Sequence, residues 1–118
     1  MITVKEAKGK KAEIQKIIDD IKDNDKFRKV KKVEVKTEDG DYVAWFTLPT
    51  RKQYKAFNKQ YKDNPSDIVE SIALSNVIYP DNGVFKEFVE YNYGILLNIG
   101  NTLFKEAGFD SVPEIKNA

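Results

Sequence analysis

The sequence contains no cysteine and no histidine. Their absence excludes disulfides, thiolate nucleophiles, imidazole bases, zinc-finger ligand sets and most transition-metal sites. Arginine is scarce as well. Of the 20 basic residues only Arg28 and Arg51 are arginine, which leaves few carriers for the bidentate contacts on which base-edge readout depends. No apolar run approaches the roughly 20 residues of a membrane helix. The lysine-rich stretch Met1 to Lys11 lacks the apolar centre of a secretory signal. These absences predict a cytoplasmic chain with no membrane partner. Gly-rich phosphate loops, nucleophile elbows and paired-carboxylate signatures are also missing. Asp23 and Asp25 have the spacing of the first two ligands of a calcium loop, but Phe27 and Arg28 occupy the fifth and sixth positions, where that loop needs an oxygen ligand and a glycine. The expectation is therefore a protein that is not an enzyme, with no catalytic residue, no metal ligand and no cofactor.

What is present is enough to fold. The chain has 118 residues, 41% hydrophobic and 33% charged, a composition for one domain with a single core. Residues 1–11 read as a flexible lead-in and residues 109–118 as a loose tail. The formal charge of +1 hides an asymmetry: residues 1–62 hold 17 basic and 10 acidic side chains, and residues 63–118 hold 3 and 9. Such a two-signed chain has surfaces that steer charged partners although its net charge is near zero.

The periodicity predicts an α+β fold, mainly helical, with a β-hairpin packed against about four helices. Ile14, Ile17, Ile18 and Ile21 form a narrow apolar stripe on a helix from Ala12 to Lys26. Val33 to Leu48 reads as a hairpin turning at Asp39-Gly40. Its return strand is apolar on both faces, with Tyr42, Ala44, Phe46 and Leu48 on one and Val43, Trp45 and Thr47 on the other, so both faces need cover. Trp45 is either a core aromatic under the first helix or an interface anchor. Pro49 ends the strand. Thr50 and Gln53 then have capping-box spacing for a second helix, on which Tyr54, Phe57 and Tyr61 share a face flanked by Arg51, Lys52, Lys55, Lys59 and Lys62. Asn64-Pro65 opens a third helix predicted to run to about Ile78. A last helical segment spans Val84 to Ala107 and is closed by Gly108; a break near Gly94 is compatible with it, and Gly100 on its apolar side permits close helix approach.

The order of features from Tyr42 onward is similar to that of the small tail assembly chaperones and related virion-assembly proteins of bacteriophages. The features are the hairpin strand entering Leu48-Pro49-Thr50-Arg51, the helix with Tyr54 and Phe57, the break Asp63-Asn64-Pro65, the apolar helix ending in Val77-Ile78-Tyr79-Pro80-Asp81, and a terminal helix. The resemblance covers residues 42–107 and leaves the lysine-rich front of the chain unmatched. It implies binding rather than chemistry: a viral chaperone that holds an apolar segment of a phage structural protein, within the host cytoplasm, until assembly. The candidate partner-binding residues are Trp45 on the hairpin and Tyr93, Leu97 and Phe104 on one flank of the last helix, with Arg51, Lys55, Lys59 and Lys62 steering an acidic protein partner. Two other readings stay open. One is a nucleic-acid accessory protein using the stripe from Arg51 to Lys62 together with Lys5, Lys8, Lys10 and Lys11; the other is a homo-oligomer assembled basic half to acidic half.

Overall fold

A computed structural model of the chain describes residues 1–62, 64–109 and 115–117. The elements among them are, in order, β1 (Ile2–Thr3), α1 (Val4–Lys8), α2 (Lys11–Asn24), β2 (Val30–Thr37), β3 (Gly40–Thr47), α3 (Arg51–Gln60), α4 (Pro65–Asn76), β4 (Val77–Tyr79), α5 (Asn82–Glu90) and α6 (Tyr93–Glu106). The predicted α+β class, a hairpin with a mainly helical remainder, is the fold observed. No helix of the described residues is long and apolar enough to cross a membrane.

Strand β3 lies at the centre. It pairs antiparallel with β2 along its whole length, from Val30 opposite Thr47 to Thr37 opposite Gly40. Its other edge is shared by two short strands, β1 beside Tyr42 and Val43 and β4 beside Trp45 and Phe46. The hairpin forms where the sequence places it, because Gly40 takes a φ of +133°, a value that side chains with a Cβ avoid. Thr37 Oγ1 stiffens the turn by accepting from the Asp39 amide at 3.2 Å and donating to the Gly40 carbonyl at 2.9 Å.

Both faces of β3 are covered, as its two-sided apolar pattern requires. Ala44, Phe46 and Leu48 join Ile68, Ile72, Ala73, Phe85, Val89, Leu96, Ile99 and Leu103 in the main core beneath α4, α5 and α6. Val43 lies on the opposite face with Ala7 and Ile14 in a smaller cluster under α1 and α2, joined by the partly buried Val4, Ile18, Trp45 and Tyr79. Fully burying a Phe or Ile contributes about 1.5–3 kcal/mol, and Phe46, Phe85, Ile72 and Ile99 are each at most 2% exposed in this layer.

Four boundaries differ from the sequence expectation. Residues 1–11 are not a free lead-in: Thr3 makes a capping box with Glu6 that starts α1, and Met1 and Ala7 are buried. The first long helix occupies 11–24 and ends before Lys26. The third helix stops at Asn76, and Val77–Tyr79 adds to the sheet as β4. β-Branched and aromatic side chains just before Pro80 favour extended backbone, and β3 offers an unpaired edge there. The Tyr79–Pro80 peptide is cis. The last segment is two helices that part at Tyr91-Asn92, two to three residues before Gly94. At the break the Asn92 side-chain amide donates to the Phe88 carbonyl at 2.8 Å, satisfying a carbonyl that α5 leaves free at its end. Gly100 does bring helices together. A Cβ built there would sit 2.5 Å from Val69 Cγ1 and overlap the Val69 carbonyl, so only glycine lets α6 cross α4 this closely. The expected loose tail lies, apart from Phe109 and residues 115–117, outside the described residues.

Candidate protein-interaction site

Two helix caps build an aromatic triad on the surface. At the start of α3, the Gln53 amide donates to Thr50 Oγ1 at 3.2 Å and the Thr50 amide donates to Gln53 Oε1 at 3.1 Å. A cap of this kind is worth about 1 kcal/mol, and it fixes the helix immediately after Pro49, one turn before Tyr54. At the end of α6 the chain closes in a Schellman motif. Gly108 has a φ of +99°, its amide donates to the Lys105 carbonyl at 3.0 Å, and the Phe109 amide donates back to the Phe104 carbonyl at 3.2 Å. That motif brings the residue after the glycine back onto the last turn of the helix. Phe109 accordingly packs edge-on against Phe104 with ring centroids 4.8 Å apart, and Tyr54 meets Phe104 at 6.0 Å and Phe109 at 5.2 Å. Edge-to-face pairs of this geometry contribute about 0.5–1.5 kcal/mol each beyond the area they bury.

The triad is only partly covered. Tyr54 and Phe104 are half-buried, and Phe109 is 54% exposed. No residue of α3 is fully buried; the helix is held by Tyr54, Phe57 and Tyr61, the last two stacked with centroids 6.4 Å apart. The outer side of the helix presents Arg51, Lys55 and Lys59, with Lys62 just beyond its end, all exposed. The result is an aromatic strip with a cationic flank. Of the ion pairs among the described residues, Lys10–Glu13, Lys32–Glu34 and Lys31–Glu106, none uses the charges of α3, and only the last joins the basic half of the chain to the acidic half.

The other predicted contact residues are distributed. Tyr93 starts α6 at its far end, is 50% exposed, and donates its hydroxyl to Glu70 Oε2 at 3.1 Å. That hydrogen bond, followed by burial and the charges of Glu70 and Asp67, raises the phenol above its ordinary pKa. Leu97 is half-buried one turn further on. Trp45 stands apart from all three on the opposite face of the sheet, half-buried under α1 and α2 and edge-on to Tyr79 at 6.1 Å. The structure thus joins Phe104 to α3 and its lysines but does not bring Trp45 into the same surface. Phe109 belongs to the site although its position in the sequence suggests tail. Its signal is the order Phe104, Gly108, Phe109, since an apolar residue after a C-terminal glycine commonly returns to the helix.

Beside Trp45 lies a cavity of about 280 Å³ between α2 and the sheet, with Val4, Ala7, Ile14, Ile18 and Val43 as its apolar walls. Lys8, Lys11, Gln15 and Lys32 stand at its rim. Tyr79, on the other side of this layer, is pushed above its ordinary pKa by burial and then by the carboxylates of Glu13 and Glu6.

Neither a protein-family model nor a curated protein matches the chain. A solved structure of an uncharacterised protein from Bacillus stearothermophilus is similar, with a TM-score of 0.63 and 18% identity over 84% of this chain and 99% of that one. At this identity the likeness shows the fold alone.

Proposed function

We propose that the chain is a binding protein of virion assembly, without catalytic chemistry, that holds an apolar segment of a phage structural protein against Tyr54, Phe104 and Phe109. The observation that carries this reading is the triad itself: three rings fixed in place by two helix caps, with Phe109 left 54% exposed. Rigid aromatic side chains gain contact area at little conformational cost, which suits them to anchor a partner. Arg51, Lys55, Lys59 and Lys62 give the partner a sign, since an acidic surface would be drawn to the basic flank and an apolar segment then seated on the rings. The resemblance of residues 42–107 to tail assembly chaperones supports the phage context. Within that resemblance, the strand-to-helix junction Leu48-Pro49-Thr50-Arg51 is the element that positions Tyr54.

Affinity capture from the native source, with mass spectrometry of the retained proteins, tests the proposal. A virion structural protein is expected, its capture lost in Phe109→Ser and weakened by added salt in proportion to the role of α3. Retention of nucleic acid alone, of further copies of the chain alone, or of the same protein by wild type and Phe109→Ser equally would overturn it. The nucleic-acid alternative has to rest on α3 by itself, because Lys5, Lys8 and Lys11 stand on α1 and α2, in the layer across the sheet.

A further inference from the structure

We infer that the cavity between α2 and the sheet is a binding site for a monomeric amphiphilic anion, a medium-chain aliphatic carboxylate. The inference is independent of the aromatic triad, which lies across the sheet. It starts from the width of the sheet on this face. Helix α2 lies over Val43 through Ile14, with Ile18 alongside, and leaves the outer strand β2 uncovered. The space between the Lys11 and Gln15 flank of the helix and Lys32 of β2 is therefore floored by Val43 and Trp45 and left open. The cavity of about 280 Å³ has room for an alkyl chain, leaving the head group at the rim.

The rim decides the sign of that head group. Four carboxylates on the surrounding elements are engaged: Glu6 accepts from the Thr3 hydroxyl at 2.9 Å, Asp19 accepts from the Gln15 amide at 2.9 Å, Glu13 pairs with Lys10 at 3.8 Å, and Glu34 pairs with Lys32 at 3.1 Å; among the described residues no carboxylate, these included, lines the cavity. Lys8 and Lys11 have no ion pair or hydrogen-bond partner among the described residues, and both line the opening. Two unpaired ammonium groups over an apolar floor attract an anion carrying an alkyl chain and repel a cation carrying the same chain. Lys32, 5.7 Å from the centre of the Trp45 ring, closes the far side.

Trp45 is the sole tryptophan of the chain and forms part of the floor, so its emission reads occupancy directly. Decanoate, titrated below its micelle concentration, is expected to change that emission saturably. Decanol should bind about tenfold more weakly, and decyltrimethylammonium should give no response. The double variant Lys8→Gln/Lys11→Gln, altered only at exposed positions, should weaken decanoate about tenfold. Lys16→Gln/Lys22→Gln, which removes the same charge from elsewhere on the chain, should leave it unchanged. Equal binding of decanol and decanoate would reduce the cavity to an apolar void and overturn the proposal. So would equal losses in the two double variants, or a response to phosphatidylglycerol vesicles without one to monomeric decanoate, which would mark a lipid surface as the ligand.

Discussion

Arg28 reaches from the loop before β2 to Asn76 at the end of α4, its guanidinium donating to Asn76 Oδ1 at 3.0 Å. Thr47 of β3 joins them, accepting from Arg28 at 3.0 Å and donating to Asn76 Oδ1 at 2.8 Å, while the Asn76 amide group donates to the Ile72 carbonyl at 2.7 Å. Asn76 is 1% exposed. Three segments far apart in the chain thus meet in one polar knot at the end of the sheet, and each group in it depends on the others. Asn76→Leu is expected to cost about 1–3 kcal/mol, because it removes the buried acceptor that Arg28 and the Thr47 hydroxyl share and leaves Arg28 only its bond to Thr47. Urea unfolding measures this. Combining Arg28→Leu with Asn76→Leu should cost less than the sum of the two, as coupled partners do.

The two glycines of α6 should respond in opposite directions. Gly94→Ala meets nothing within 4 Å and is expected to raise stability by a few tenths to about 1 kcal/mol through helix propensity. Gly100→Ala drives a methyl into the Val69 carbonyl and should cost about 1–3 kcal/mol, the range for overpacking. Thermal melts of the pair suffice, and a stabilising Gly100→Ala would refute the close crossing of α4 and α6.

Gly108 offers a way to disturb the aromatic triad without removing a ring. At a φ of +99°, alanine in its place is strained by about 1 kcal/mol. Gly108→Ala is therefore expected to loosen Phe109 from Phe104 and weaken partner capture, with a modest loss of stability. Phe85→Ser, at a fully buried position of the main core, should instead lower stability by several kcal/mol and lose capture only through unfolding. Circular dichroism separates the two outcomes.

Tyr79 gives an alkaline signature. Its folded pKa is raised by burial and by Glu13 and Glu6, so the protonated phenol is favoured in the folded state. The stability this contributes is fully present below the unfolded value of about 10 and is lost as pH rises from there through the folded value. Tyr79→Phe should flatten the decline of the urea midpoint above pH 10 and leave the behaviour at neutral pH without that dependence.

Local chemistry is legible in the residues. Asp39-Gly40, Thr50 with Gln53, Asn64-Pro65 and Gly108 each mark a turn or helix end that forms at its expected place, because each rests on backbone geometry within five residues. What is illegible depends on distant partners. Val77–Tyr79 continues the apolar pattern of α4, and only the free edge of β3 makes it a strand. Asn76 looks like one more polar residue in a helix, since its partners Arg28 and Thr47 lie 48 and 29 positions away. Strand alternation already sets Trp45 on the face opposite Phe46, but residue type alone does not reveal that Tyr93, Leu97 and Phe104 are spread along α6 and that only Phe104 of the three meets α3. The cavity beside Trp45 arises from a mismatch between one helix and the width of a sheet, a property of packing that no single segment encodes.

The two edges of the sheet carry different features that disfavour pairing with another strand. On one side β1 and β4 lie end to end along β3, a two-residue and a three-residue strand, too short to template a foreign strand. On the other, β2 is eight residues long and outermost, the kind of edge that invites intermolecular sheets, yet Lys31, Lys32 and Lys36 recur along it. Part of the lysine excess in the first half of the chain thereby has a reading that needs no partner: like charges along β2 oppose strand pairing between molecules, and neutralising them is expected to lower solubility.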